Sequence, residues 1–346
     1  VTVEDNINPT AVCQDITVQL DANGDLTIVS ADIDGGSTDN CGVATLTIDG
    51  GNASQDFGCV NVGTNTVTLT VTDVNGNVST CDAIVTVSDT VSPNAVCQDI
   101  TVQVDANGDL TITSADIDGG SNDACGIASL EIDGGNTTQD FGCSDVGVQT
   151  VTLTVTDVNG NVSTCDASVT IEDNVDPTTV CQDITVQLDA NGELTITSAD
   201  IDGGSTDNCG IASLTIDGGN TTQDFDCTNV GTNTVTLTVT DVNGNVSTCD
   251  ATVTIQDTIS PNAICQDVTV QLDASGNASV SAIDIDNGSN DNCGIASITL
   301  DGGASSLSFD CSDVGVQSVT LTVTDVNGNV STCTADVTVE DNVDPS

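Results

Sequence analysis

The chain has 346 residues, with 53 Asp and Glu and no Lys, Arg or His, so its formal net charge at pH 7 is −53. This charge excludes electrostatic attraction to nucleic acid or to anionic lipid, and no salt bridge can form between side chains. We expect no direct membrane insertion, because no run of about 18 apolar residues is present. Without His, Lys, Arg or Tyr the chain lacks an ordinary general base and an oxyanion cation, so we expect no enzyme.

The sequence repeats itself every 84 residues, and each repeat contains one Phe and four Cys. The opening segment 1–9 (VTVEDNINP) matches the closing segment 337–345 (VTVEDNVDP). We therefore interpret the chain as a section of a longer array or as one subunit of a polymer. The expected division is the last strand and linker of a preceding repeat at 1–8, four repeats at 9–92, 93–176, 177–260 and 261–344, and the start of a further repeat at 345–346.

Apolar residues alternate with polar ones in several runs of the first repeat. In chain order these runs lie at 16–20, 26–28, 46–48, 67–71 and 83–87. Asn-Gly, Gly-Gly and Asp-rich segments separate the runs and have the composition of turns. Six or seven short strands in 84 residues, with no helical periodicity, predict an all-β chain, a tandem array of four immunoglobulin-like β-sandwich repeats.

Sixteen cysteines at fixed spacings indicate an oxidising compartment, so we expect a secreted, extracellular or cell-surface protein. With so few aromatic residues the core is small, and disulfides should contribute strongly to stability. The four cysteines of a repeat allow three pairings, and we favour the first with the fourth and the second with the third. The expected disulfides are Cys13–Cys81, Cys97–Cys165, Cys181–Cys249 and Cys265–Cys333, together with Cys41–Cys59, Cys125–Cys143, Cys209–Cys227 and Cys293–Cys311.

Three motifs recur in this order in every repeat. In the first copy they are Pro-x-x-x-Cys-x-Asp-Ile from Pro9, Asp-Asn-Cys-Gly from Asp39, and a Val-Gly to Asp-x-x-Gly-Asn-x-x-x-Cys segment from Val62 to Cys81. The pattern resembles the hyalin repeat (HYR) family over essentially the whole chain. The resemblance implies an immunoglobulin-like fold and a role in extracellular adhesion or matrix, often in large Bacteroidetes-type bacterial surface proteins. The chain departs from the pattern at Ala124, and most of the family's aromatic positions are Val or Thr here.

Acidic residues recur in three groups that could bind a cation. Oxygen donors at short spacing are what Ca²⁺ requires, with six to eight ligands at about 2.3–2.6 Å. The junction acids lie four residues before each Pro, the second group comes from the ADIDGGSTDNC segment, and the third opens the DVNGN segment. The candidate ligands are Asp5, Asp89, Asp173, Asp257 and Asp341 at the junctions, Asp34, Asp118, Asp202 and Asp286 in the second group, and Asp73, Asp157, Asp241 and Asp325 in the third.

A purely structural role competes with calcium binding in these segments. Asp-x-Asn-Gly-Asn is a good hairpin turn, since Asn and Gly accept positive φ and Asp can accept hydrogen bonds from its own backbone. The junction acids are the stronger candidates, because a short linker needs an additional contact to become rigid. Bound Ca²⁺ would also relieve repulsion between neighbouring repeats, so we expect it at one or more sites per repeat.

Attached glycans are a further hypothesis. Asn52, Asn136 and Asn220 begin Asn-x-Ser/Thr triplets, which are acceptors of N-linked glycans. Thr90 and Thr258 lie in Asp-Thr-aliphatic segments, which resemble a bacterial O-glycosylation motif. An unmodified linker explains the same residues.

The repeats favour a structural function. We expect an extracellular filament or adhesin stalk of disulfide-stapled, calcium-stiffened repeats, whose partners are copies of itself or further repeats of the same chain. The alternative is a cell-surface binding module that recognises a carbohydrate or a protein receptor.

Overall fold

The structure is a computed structural model that describes residues 1–343. Residues 344–346, with Pro345 and the expected start of a further repeat, lie outside the described part. The chain forms two compact units, Val1–Asn174 and Val175–Ser346. Each unit contains the strands of two repeats, as the period of the sequence predicts.

Every repeat contributes six strands within the described residues. Repeat 1 has β1 Ile16–Gln19, β2 Asp25–Val29, β3 Val43–Ile48, β4 Ser54–Gly58, β5 Gly63–Asp73 and β6 Val78–Ser88. Repeat 2 has β7 Ile100–Gln103, β8 Asp109–Thr113, β9 Ile127–Ile132, β10 Thr138–Gly142, β11 Gly147–Asp157 and β12 Val162–Glu172.

The second unit follows the same order. Repeat 3 has β13 Ile184–Gln187, β14 Glu193–Thr197, β15 Ile211–Ile216, β16 Thr222–Asp226, β17 Gly231–Asp241 and β18 Val246–Gln256. Repeat 4 has β19 Val268–Gln271, β20 Asn277–Ser281, β21 Ile295–Leu300, β22 Ser306–Asp310, β23 Gly315–Asp325 and β24 Val330–Glu340. The helices are short: the α-helix α1 Ala282–Ile285 and 3₁₀ turns at Ser30–Asp32, Cys59–Asn61, Cys143–Asp145, Ser198–Asp200, Cys227–Asn229 and Asp301–Gly303.

Two sheets form the sandwich in each repeat. In repeat 1 a four-stranded sheet has the order β1-β6-β5-β3, and β2 pairs with β4 in a second, two-stranded sheet. Strand β1 is parallel to β6, and the other pairs are antiparallel. The same topology recurs in repeats 2, 3 and 4, so the chain is an all-β tandem array of four immunoglobulin-like β-sandwich repeats of about 84 residues.

The core of each sandwich is aliphatic. The alternation along β5 and β6 turns the apolar residues inward and the Thr residues outward. In repeat 1 Leu69 and Val85 are fully buried, and they belong to one cluster with Ile28 and Phe57 from the smaller sheet. One Phe per repeat is sufficient because branched Val, Ile and Leu side chains fill the rest of the space.

Strands β3 and β4 are consecutive but run in the same direction. Strand β3 is antiparallel to β5 and therefore runs with β6. Strand β1 also runs with β6, β2 reverses it through a tight turn, and β4 is antiparallel to β2. The chain therefore changes sheet through a tight turn closed by the antiparallel bridge between Ile48 and Asn52, after which β4 again runs in the direction of β3. We call the end of a repeat where β3 and β6 begin its N-terminal end, and the opposite end its C-terminal end.

This strand direction separates the two middle cysteines of every repeat. Cys41 precedes β3 at the N-terminal end, and Cys59 follows β4 at the C-terminal end. The expected pairs Cys41–Cys59, Cys125–Cys143, Cys209–Cys227 and Cys293–Cys311 are therefore wrong. Instead Cys59 bonds to Cys125 with a Cα–Cα distance of 5.1 Å, and Cys227 bonds to Cys293 at 5.3 Å. Cys41 and Cys311 are exposed free thiols, whereas Cys143 and Cys209 are disulfide-bonded.

The long-range disulfides inside each repeat have the favoured pairing. The structure contains Cys13–Cys81, Cys97–Cys165, Cys181–Cys249 and Cys265–Cys333, each with a sequence separation of 68 residues. Each one joins the segment before the first strand to the last strand of the same repeat. On the chain-entropy description, a loop of this length stabilises the folded repeat by about 4 kcal/mol.

Replacing a core residue tests the inward parity of the strands. We expect Leu69→Ala to lower the free energy of unfolding of repeat 1 by about 2–5 kcal/mol, because it leaves a cavity between the sheets. Ile84→Ala is the matched control on β6, where the side chain is 39% exposed. Denaturant unfolding of both variants provides the measurement, and equal losses would contradict the assignment of the two faces.

Candidate metal centre at the junction between repeats

The DVNGN segment forms a tight turn around its aspartate. In repeat 4 the Oδ1 atom of Asp325 accepts hydrogen bonds from the backbone N–H groups of Asn327 and Asn329, both at 2.8 Å. Its Oδ2 atom accepts a bond from Asn329 Nδ2, also at 2.8 Å. Gly328 adopts a φ of +96°, which the turn requires and which Gly permits. This is the structural role that competes with calcium binding, and Asp73, Asp157 and Asp241 accept the same backbone bonds.

Hydrogen bonding controls the ionisation of these turn aspartates. Burial raises the pKa of Asp325, but the bonds donated by the Asn329 side chain and by backbone N–H groups outweigh it and hold the pKa below its usual value. The carboxyl group therefore stays ionised although it is 1% exposed.

The last Asn of the turn reaches the linker from the preceding repeat. Asn329 Nδ2 donates a hydrogen bond to the carbonyl oxygen of Asp257 at 3.1 Å. Asn161 binds Asp89 in the same way at 3.2 Å, and Asn77 binds Asp5 at 3.0 Å. The junction acid is thus positioned by the turn of the repeat that follows it.

The Asp-Asn-Cys-Gly loop supplies a second set of oxygens. Asp291 Oδ2 accepts hydrogen bonds from the backbone N–H groups of Cys293 and Gly294 at 2.9 and 3.1 Å. The other carboxylate oxygen, Asp291 Oδ1, is buried without a hydrogen-bond partner. The Oδ1 atom of Asn292 is also buried and unpartnered, while its Nδ2 donates to Asp257 Oδ1 at 3.2 Å.

These elements bring three carboxylates together between repeats 3 and 4. Asp257, Asp291 and Asp325 each offer a carboxylate oxygen, and these oxygens lie within 4.8 Å of one another. Asp257 is 6% exposed, and its Oδ2 atom has no hydrogen-bond partner. Three negative charges at this spacing, without a cation in any side chain of the protein, are costly unless an external cation joins them.

The donor set fits Ca²⁺. The clustered carboxylate oxygens of Asp257, Asp291 and Asp325 are all hard oxygen donors. Backbone carbonyls or water would complete six to eight ligands. Zn²⁺ fits poorly, because Cys293 beside the cluster is bonded to Cys227.

The first unit repeats this arrangement at two places. Asp89 and Asp123 cluster beside Cys125, and Asp89 is 8% exposed with an unpartnered Oδ2 atom. Asp5 and Asp39 cluster beside Cys41. Cys125 is in a disulfide and is not a ligand.

The free thiol of Cys41 is affected by its acidic neighbours. A hydrogen bond between Cys41 and the Asp5 carboxylate raises the pKa of this thiol, together with burial and the nearby charges of Asp5, Asp39 and Asp73. Asp73 is therefore close to this cluster as well.

The remaining candidate ligands have other roles or positions. In the second group the aspartates bind their own loop: Asp34 Oδ1 accepts bonds from the N–H and hydroxyl of Ser37, and Asp118, Asp202 and Asp286 accept from Ser121, Ser205 and Ser289. Asp173 is buried, and Asp341 is exposed. Asp39, Asp123 and Asp291 belong to the same acidic segments as Asp34, Asp118 and Asp286, and in the structure they are the members that lie beside a junction acid.

All glycan candidates lie on the surface. Asn52, Asn136 and Asn220 are exposed in the loop that follows the third strand of their repeats, and Thr90 and Thr258 are exposed in the linkers. Thr258 Oγ1 donates a hydrogen bond to Gln187 Oε1 at 3.1 Å.

Among the described residues, no helix is long and apolar enough to cross a membrane.

Comparisons with known proteins find similarities among solved structures. No protein-family model and no curated protein matches the chain. Among solved structures, immunoglobulin domains 1–5 of Sidekick-1 match 96% of this chain and 80% of theirs, with 10% identity and a TM-score of 0.33. Extracellular cadherin domains 1–5 of Protocadherin Gamma B2 match 99% of this chain and 82% of theirs, with 12% identity and a TM-score of 0.30. The titin I-band fragment I67–I69 covers 72% of this chain and 99% of its own, with 9% identity and a TM-score of 0.35.

The turn aspartates make stability depend on pH. Because the pKa of Asp325 is lowered in the folded state, its stabilisation is present at neutral pH and is lost as the pH falls through the folded pKa, below 3.8. We expect Asp325→Asn to destabilise repeat 4 at pH 7 by on the order of 1 kcal/mol, since a charged acceptor of several hydrogen bonds is removed. Thermal melting at decreasing pH should show the difference from the native chain vanish in strong acid, and a difference that grows in acid would contradict this assignment.

Proposed function

We propose that the chain is an extracellular structural stalk or filament segment, stiffened at its junctions by disulfides and by Ca²⁺. The observation that carries this proposal is the disulfide between successive repeats. Cys59–Cys125 and Cys227–Cys293 cross from one repeat to the next, beside the peptide linker that already joins them. A linker alone permits rotation about its bonds, whereas two separate covalent attachments oppose bending of one repeat against the other.

The disulfides also support the proposed location. Disulfides persist in oxidising compartments and are rare in the cytosol. Sidekick-1 immunoglobulin domains and protocadherin extracellular domains are among the similar solved structures. Surface display also suits a charge of −53, which keeps separate chains soluble. The same lack of cationic side chains supports a non-enzymatic role, and the exposed Asn and Thr candidates would carry glycans without disturbing the core.

Calcium would act at the same junctions as the disulfides. The Asp257 cluster joins a residue that follows β18 in repeat 3 to Asp291 and Asp325 in repeat 4. A cation held by both sides fixes the linker and removes the repulsion between the carboxylates. The bound form is then the stiffer one.

Replacing the junction acid should have opposite effects with and without calcium. In chelator, Asp257→Asn should melt at the same temperature as the native chain or higher, because the variant removes a buried charge that has no cationic partner and whose Oδ2 atom accepts no hydrogen bond. In calcium the native chain should melt higher than the variant, since ligand at 100 times its dissociation constant stabilises by about 2.7 kcal/mol. Calorimetric melting in both conditions measures the two differences.

Asp286→Asn is the matched control for this experiment. Asp286 belongs to the same repeat but accepts its hydrogen bond from Ser289 in its own loop. This variant should lose some stability and keep the full calcium response. A native chain that melts identically in calcium and in chelator would contradict the calcium site.

Electron microscopy tests the stalk itself. Strands of eleven residues at about 3.3 Å each give roughly 35–40 Å per repeat. We expect rods of constant width in calcium whose length agrees with this rise, and more strongly bent particles after chelation and reduction. Compact particles or freely jointed strings in calcium would contradict the stalk and favour a receptor-binding module.

A further inference from the structure

We propose that Cys41 and Cys311 are the two halves of one more inter-repeat disulfide, formed between two copies of this chain that dock head to tail. This inference rests on the proposed stalk function and names its partner as a second copy of the same chain. The evidence is that both thiols lie at positions whose counterparts in the other repeats are bonded to each other.

The loop around Cys41 is built like the bonded half at the start of repeats 2 and 4. Asp39 Oδ2 accepts hydrogen bonds from the N–H groups of Cys41 and Gly42 at 2.7 and 3.1 Å. In repeat 4 Asp291 holds Cys293 and Gly294 at 2.9 and 3.1 Å, and Cys293 is bonded to Cys227. The loop of the free Cys41 therefore has the same hydrogen bonds as the loop of Cys293, which is in a disulfide.

The surroundings of Cys311 match the other half. Its Sγ atom lies 3.9 Å from the carbonyl oxygen of Gly276, and the bonded Cys59 lies 3.9 Å from that of Gly24. A Cβ atom added to Gly276 would lie 2.7 Å from Cys311 Sγ, and one on Gly24 would lie 2.7 Å from Cys59 Sγ. In both repeats the turn between the first two strands therefore holds its Gly against the cysteine sulfur. Any other residue would place a Cβ atom too close to that sulfur.

The two thiols lie at complementary ends of their repeats. Cys311 lies at the C-terminal end of repeat 4, and Cys41 lies at the N-terminal end of repeat 1. Cys59–Cys125 shows that these two kinds of end meet in a bonded contact. A contact between two unlike ends of identical chains leaves one end of each kind free for a further copy, so it can be repeated along a chain of copies unless the rotation closes it into a ring.

The incoming copy also carries its own junction acid. Asn77 Nδ2 holds the carbonyl oxygens of Asp5 and Ile7 at 3.0 and 3.2 Å, so Asp5 already lies beside Asp39. Asp5 therefore has the place beside Asp39 that Asp257 has beside Asp291 inside the chain.

The bond forms by thiol–disulfide exchange with a disulfide oxidant such as glutathione disulfide. The thiolate of Cys311 attacks the oxidant, which forms a mixed disulfide and releases one glutathione thiolate. The thiolate of Cys41 in the second copy then attacks the Cys311 sulfur and releases the second glutathione. Two protein thiols are oxidised, two protons leave, and one glutathione disulfide is reduced to two thiols.

Two complementary single variants test the head-to-tail pairing. Cys41→Ser keeps only Cys311, and Cys311→Ser keeps only Cys41. Each variant is incubated alone and in a 1:1 mixture with glutathione disulfide and calcium, and one variant is labelled with ¹⁵N. We expect the mixture to give at least about tenfold more dimer than either variant alone, because docking raises the effective concentration of the two thiols. No species larger than a dimer should form.

Non-reducing peptide mapping then identifies the bond. A peptide pair that joins labelled and unlabelled chains through Cys41 and Cys311 is the expected result. Dimers that form equally in each variant alone, or a mixture that stays monomeric, would overturn the inference, as would an internal Cys41–Cys311 bond in the native chain.

The matched control is the double variant Cys59→Ser, Cys125→Ser. It removes one inter-repeat disulfide inside the chain and leaves Cys41 and Cys311 in place, so it should form oligomers as the native chain does. The stalk proposal is judged separately, from the calcium melting curves and from micrographs of the monomeric single variants. Rods and a calcium response in monomers that never couple would contradict this inference alone.

Discussion

The absence of any side-chain cation constrains every part of this protein. A buried carboxylate in most proteins can pair with Lys, Arg or His, and here that option does not exist. The aspartates of the turns are therefore satisfied by backbone N–H groups, Asn side chains and hydroxyls, as Asp325 shows. Where carboxylates from two repeats meet, Asp257 Oδ2 and Asp291 Oδ1 have no hydrogen-bond partner, and the proposed calcium ion would provide one.

The junction between repeats is where these demands coincide. At the boundary of repeats 3 and 4, the carboxylate cluster of Asp257 and the disulfide Cys227–Cys293 lie beside one another, because Asp291 and Cys293 belong to the same short loop. One loop thus contributes to both the candidate metal centre and the covalent cross-link. In the proposed stalk, the disulfide and the bound cation would together stiffen this junction.

The sequence predicted the sandwich and the long-range disulfide of each repeat, but its pairing of the two middle cysteines was wrong. Apolar and polar residues alternate with a period of two, which is the period of a β-strand. This alternation was sufficient to predict that Leu69 and Val85 point inward. The pairing of Cys41 with Cys59 was wrong because short separation along the chain suggests a hairpin, whereas β3 and β4 continue in one direction through two sheets. Spacing also cannot tell which aspartate of a loop lies at the junction: the structure places Asp39 beside Asp5, whereas Asp34 accepts hydrogen bonds from Ser37.

The sequence by itself determined the repeat length, the all-β class and the inward parity of each strand. These properties arise from local patterns and from composition, which do not require knowledge of the fold. Only the tertiary structure decided which end of a repeat each loop occupies. That assignment depends on the order and direction of strands in two sheets, and it separates Cys41 from Cys59 and brings Asp257 to Asp291.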